Sequence, residues 1–188
     1  MPKLVAICKP SAGVDHRIEV EGAIPFGGFF IKMPNKETEK QYNEFKKKHK
    51  LPEFAELDNE IEISDLEETN FLLRAIIRRI SEKLDFYSTM LEEILQPDTS
   101  NLYALHEIRF IDDSEKKRMY DTYRKLMDIN RLSVEVSLEH DKSHEAEFIN
   151  RFFFEWKIIK KDLLKFVKKM RESWQIETDI KEDVGYLG

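Results

Sequence analysis

Residues 149–170 read INRFFFEWKIIKKDLLKFVKKM. Within this stretch Ile149, Phe152, Trp156, Ile159, Leu163, Phe166 and Met170 recur at steps of three and four. That spacing puts large apolar side chains on one stripe of a helix, with lysines around the rest of its circumference. Ser143 stands where this helix would start and is read as its cap. Upstream, Leu73, Ile77, Ile80, Leu84, Tyr87, Leu91 and Ile94 repeat the same steps and form a second stripe. Ser64 and Glu67 have capping-box spacing, and Pro97 stops the pattern. The second helix is therefore predicted from Ser64 to Gln96, about 50 Å long at 1.5 Å per residue. Two such stripes are buried most simply against each other in a helical bundle.

The rest of the chain fits around that bundle. All six glycines lie within the first 28 or the last four residues, and Pro97 is the one proline between Pro52 and Gly185. Turns are thus concentrated at the N-terminus, where residues 1–34 read as a small β module. Leu4–Cys8 is apolar, Arg17–Glu21 alternates, and Gly22, Pro25, Gly27 and Gly28 precede Phe29-Phe30-Ile31. Asn35 is placed to cap a polar helix over 36–50, with Tyr42 and Phe45 as its anchors, and the acidic residues 53–63 read as a linker. Asp98-Thr99-Ser100 offers caps for a short helix reaching about residue 110. Asp112-Asp113-Ser114 would cap another, with Met119, Tyr123, Met127 and Asn130 on one side. Residues 132–138 alternate as a strand would, but no turn residue separates them from that helix, so continued helix is favoured. The predicted architecture is mainly α: a bundle of about four or five helices over 64–176, a β module at 1–34, a polar helix and linker at 35–63, and an acidic tail at 177–188.

Composition excludes several functional classes. With 41% hydrophobic residues in 188, the chain can bury a core. A lone Cys8 forms no internal disulfide. No apolar run resembles a secretory leader or a membrane span, so a soluble cytoplasmic protein is expected, nuclear in a eukaryote. Charged residues reach 36%, a lysine- and glutamate-rich balance of the kind thermophiles use. The net charge of −6 is uneven. Residues 157–171 hold seven basic groups and Asp162, a local +6 that leaves −12 elsewhere.

No motif announces a reaction. His140 and His144 are four apart, beside Asp141 and Glu145, and would share a face if one helix carried both. A metal site there needs further ligands that the sequence does not identify. Neither Glu-x-x-His nor His-Glu-x-x-His occurs, Gly27-Gly28 lacks a phosphate-loop context, and Cys8 sits in an apolar run where a small buried residue is the plainer reading. No catalytic residue and no cofactor is expected. The best surface signal is the lysine-rich helix. Phe153, Lys157, Lys161, Leu164, Lys165 and Lys168 are the candidate partner-binding residues, for an acidic protein, a second copy of the chain, or nucleic acid.

The order of elements resembles a GINS subunit with the small β domain first. The resemblance rests on Leu4-Val5-x-Ile7, Asp15, Ile18, Gly22, Pro25-Phe26, Gly28 and Pro34 in the N-terminal module. It continues in Asp85-Phe86-Tyr87 on a helix and in Ser143-His144-Glu145-Ala146-Glu147-Phe148 opening the last one. The chain departs from the family after Pro34, where Asn35-Lys36-Glu37 replaces an apolar helix start. The resemblance implies a noncatalytic scaffold in a tetramer that joins the replicative helicase to other replisome proteins. Direct nucleic-acid binding through residues 157–171 and a metal enzyme using His140 and His144 stand as the alternatives.

Overall fold

A computed structural model describes residues 23–26, 29–32, 36–66, 70–98 and 100–176. The chain divides at Met33/Pro34 into two units. Of the first, the described part is an antiparallel pair, β1 (Ala23–Phe26) and β2 (Phe29–Lys32), with Ala23 opposite Lys32 and Phe26 opposite Phe29. Pro25, expected in a turn, lies within β1, where a two-stranded sheet leaves every strand an edge that tolerates a missing amide. Two strands of four residues do not by themselves make the expected β module. The strands expected at Leu4–Cys8 and Arg17–Glu21 lie outside the described residues, as do Cys8 and the Asn35 cap.

The second unit is helical, as the two stripes predict. Its helices are α1 (Lys36–His49), α2 (Phe54–Ile61), α3 (Leu72–Leu95), α4 (Leu102–Ile108), α5 (Asp113–Glu139) and α6 (Lys142–Ser173). The long helices α3, α5 and α6 pack on one another. α1 and α2 close one side and α4 sits at an end. The core residues expected on α3 and α6 are all buried: Leu73, Ile77, Ile80 and Leu84 on one, and Ile149, Phe152, Trp156, Ile159 and Leu163 on the other. Tyr42 is fully buried, its hydroxyl donating to the Pro52 carbonyl at 3.0 Å, and Phe45 packs at the margin.

Four expectations need correction. Among the described residues four helices lie in 64–176 and α1 matches the expected polar helix, but α2 adds a sixth, because residues 53–63 are not a linker. Phe54, Leu57 and Ile61 step by three and four and bury one face of α2 despite its acids. The second long helix begins at Leu72, not Ser64. Glu62 takes a left-handed conformation (φ 54°), and Ser64 lies in a 3-10 turn over Ile63–Asp65 that buries Ile63. The Ser64 amide donates to Asp58 at 2.6 Å instead of joining α3. Glu67 lies outside the described residues. At 24 residues α3 is about 36 Å long. The caps shift as well. Asn101 caps α4 and Asp141 caps α6, accepting from the Ser143 and His144 amides, while Asp112 and Glu115 form a full capping box on α5.

The last correction concerns α5. The helix continues to Glu139, so 132–138 is helical as favoured. Its buried stripe, however, is Met119, Thr122, Leu126, Ile129, Asn130, Ser133 and Val136, which leaves Tyr123 half-buried and Tyr120 exposed. Two polar residues of this stripe meet α3: Ser81 donates to Ser133 at 2.9 Å, and Asn130 donates to Asp85 at 2.6 Å. Small polar groups that satisfy each other let two helices approach closely.

Candidate interaction surface

The outward face of α6 follows from its inward one. Successive helical residues turn by about 100°. With Phe152, Trp156, Ile159 and Leu163 in the core, Phe154, Lys157, Ile158, Lys161, Leu164, Lys165 and Lys168 point the other way. Exposure agrees: Phe154 is 72% exposed, Leu164 54% and Ile158 52%. From Phe154 to Lys168 the face runs about 21 Å. Its apolar side chains alternate with lysines along the whole length.

The lysines fall into two sets. Lys160 reaches across to Glu60 on α2 at 2.7 Å, and Lys169 reaches Glu115 on α5. Both lie toward the flanks and tie helices together. On the outward face Lys165 pairs only with Asp162 of its own helix, at 3.1 Å, and Lys157 stacks 4.2 Å over the Phe153 ring. Lys161 and Lys168 are exposed and have no ion pair among the described residues. Of the six expected partner-binding residues, Lys157, Lys161, Leu164, Lys165 and Lys168 are exposed and Phe153 is not. Phe153 is half-buried against the core, and Lys157 covers it. Phe154, the next residue, is the exposed ring. Ile158, which the lysine reading passes over, lies beside it.

Clusters elsewhere that look like chemistry are accounted for by packing. Glu60 accepts from the Trp156 indole at 2.8 Å as well as from Lys160. Burial pushes its carboxyl up, but those bonds outweigh it and hold the group below the usual carboxylate range. Lys83 donates to the Glu60 carbonyl and lies 5.0 Å over the Trp156 ring. Burial depresses its ammonium, with Glu60 opposing. The cluster joins α2, α3 and α6 through mutually committed groups. Arg74 likewise meets buried Glu145 at 2.9 Å, fixing α3 against α6.

The two histidines do not share a face. His140 is the left-handed residue (φ 59°) that ends α5, and His144 lies in the first turn of α6. His144 Nδ1 is 2.5 Å from Glu139, whose hydrogen bond raises the imidazole above its ordinary range. Among the described residues no three His, Cys, Asp or Glu side chains converge on a metal position. An open groove of about 880 Å³ at the end of α3 carries Glu92, Glu93 and Asp98. Tyr103 beside it donates to Glu93 at 2.5 Å, and Trp174 donates to Glu107 at 2.7 Å while stacking on His106.

Of the residues behind the GINS resemblance, those from Leu4 to Gly22, Gly28 and Pro34 lie outside the described residues, Pro25 and Phe26 are in β1, and the rest are in the helical unit. Asp85 bonds Asn130, Phe86 is 66% exposed, and Tyr87 packs 5.6 Å from Trp156. Glu145 and Phe148 are buried at the start of α6. No helix among the described residues is long and apolar enough to cross a membrane. Comparison with family models, with curated proteins and with solved structures found no match to this chain.

Proposed function

We propose that this chain is a noncatalytic subunit of a larger assembly and binds another protein through the outward face of α6. The observation that carries the reading is the alternation of exposed Phe154, Ile158 and Leu164 with Lys157, Lys161, Lys165 and Lys168 on one helix face. A solvated face needs charge alone. Apolar side chains spaced between charges suit the buried centre and polar rim of a protein interface. In its finer form the proposal is a GINS-like component of DNA replication with a β module over residues 1–34, supported by the sequence resemblance and its element order.

The test is recovery of the full-length protein, with and without Phe154→Asp and Leu164→Asp, from its native cells. Defined partners held by the unaltered chain and lost by the variant, at unchanged helicity, are the expected result. Helicase and replisome proteins among them would support the finer reading. Partners that persist in the variant, or a chain that stays monomeric and alone at micromolar concentration, would overturn the interface.

The lysine spacing favours one second reading, contact with nucleic-acid phosphates. It predicts salt-dependent binding to DNA or RNA that falls when Lys157, Lys161 and Lys165 are changed to Glu. The three apolar residues on the same face have no part in phosphate contact, which places this reading second.

A further inference from the structure

Residues 177–188, beyond the last described turn, read ETDIKEDVGYLG. Four are acidic (Glu177, Asp179, Glu182 and Asp183) against the single base Lys181. Ile180, Val184 and Leu187 recur among them at steps of four and three. This pattern is the complement of the α6 face: acids between apolar residues, against lysines between apolar residues.

We propose that the segment 177–188 docks in cis on the outward face of α6 and occupies it until a partner displaces it. Reach permits this. Along the helix axis Ile176 is about 12 Å from Lys168, 18 Å from Leu164 and 22 Å from Lys161. Twelve extended residues span about 40 Å, enough to double back past Lys161. Charge directs it, because Lys161 and Lys168 have no ion pair among the described residues and Lys165 has only its helical neighbour Asp162. Val184, about 26 Å of extended chain from Ile176, supplies apolar surface for Leu164, which is otherwise half in water, and Ile180, about 13 Å from it, comes within reach of the Lys168 stem. The tether favours the chain's own segment over any free one, since a short linker holds it at an effective concentration of order millimolar. A protein partner for the α6 face would then have to match the acidic-apolar pattern of 177–188 and compete with it.

The inference uses the same face as the assembly reading, but its test needs no partner, so the two stand or fall separately. The full-length protein is treated with a zero-length carbodiimide coupler at low micromolar concentration and again after dilution, and the joined peptides are mapped by mass spectrometry. The expected links run from Lys161, Lys165 and Lys168 to Asp179, Glu182 and Asp183. They should lie within the monomer, with a yield that dilution does not change. Ile180→Ser with Val184→Ser leaves every carboxylate in place and should lower the yield several-fold. Four results would overturn the proposal: no such links, links spread evenly over lysines of other helices, links confined to covalent dimers, or a yield indifferent to the double substitution. The confined-to-dimers result would assign the face to a second copy of the chain.

Discussion

Replacing Leu57 by Ala sets the structure against the plain sense of the sequence around it. Five acids in residues 53–62 suggest a solvated linker, and in a linker the change would cost nothing. In the structure Leu57 has no exposed surface and lies on the α2 face with Phe54 and Ile61, above buried Ile63. Transfer of the lost methylenes back to water is worth about 0.8 kcal/mol each, and the cavity left behind adds to it. Leu→Ala in a core costs about 2–5 kcal/mol. The value should fall in the lower half of that range, because an eight-residue helix at the edge of a bundle can shift to fill part of the space. Urea unfolding followed by circular dichroism is the assay. With a slope of about 2 kcal/mol per molar, a loss near 3 kcal/mol moves the midpoint by about 1.5 M. Ile80→Ala, at an equally buried position on α3, is the reference and should cost about 2–5 kcal/mol. A shift below about 0.5 kcal/mol at Leu57 beside a full shift at Ile80 would refute the docking of α2.

Two further perturbations test other parts of the structure. Val136 is buried whereas Val134 and Leu138 are 49% and 76% exposed, so Val136→Ala should cost on the order of 1–2 kcal/mol and the other two less than about 0.5 kcal/mol. Equal losses at all three in urea melts would fit a half-buried strand and contradict the helix. His144 accounts for one pH effect. Its hydrogen bond with Glu139 raises the folded imidazole above the unfolded value of about 6.5, so the pair's contribution is complete below that value and is lost as pH rises through the folded one. Proton NMR should show His144 titrating late and Glu139→Gln returning it toward the ordinary range; an unchanged midpoint in that variant would remove the interaction.

The stripes of α3 and α6 are legible directly, since large apolar residues at steps of three and four over six or seven turns would be scattered on both faces of a strand but align on one face of a helix. The stripe on α5 is harder to see. Ranking by hydrophobicity puts Tyr123 and Met127 above Thr122 and Ser133, yet both hydroxyl residues are buried: Ser133 accepts from Ser81 of α3, and Thr122 donates to the Arg118 carbonyl of its own helix. Asp85 illustrates the same point, since nothing local indicates that Asn130, 45 residues away, will meet it. On α2 the acids mask a short stripe that needs the rest of the bundle to become a helix at all. Caps are ambiguous where several Ser, Thr, Asp and Asn residues stand together and only backbone direction can choose, as between Asp141 and Ser143. At the candidate surface, the lysines are evident from charge alone. Choosing Phe154 over Phe153 requires applying the helical rotation to the core stripe.

That rotation also decides which lysines an interface test should alter. Seven basic residues in 157–171 look like one patch in the sequence, but the fold gives them different work. Lys160 and Lys169 hold Glu60 and Glu115, so reversing either charge would place like charges together between helices and disturb packing before any partner is met. Lys161 and Lys168 make no such tie among the described residues, and Lys157 rests on a ring of its own helix. Reversal at Lys161 or Lys168 should therefore leave the packing of the bundle nearly unchanged and act on whatever occupies the outward face. A variant spanning the whole stretch would mix the two effects, and its loss of binding could not be separated from loss of structure. The separation is possible because the core stripe of α6 takes one side of the helix, the ion pairs to α2 and α5 take its flanks, and the remaining side is left to Phe154, Leu164 and the lysines between them.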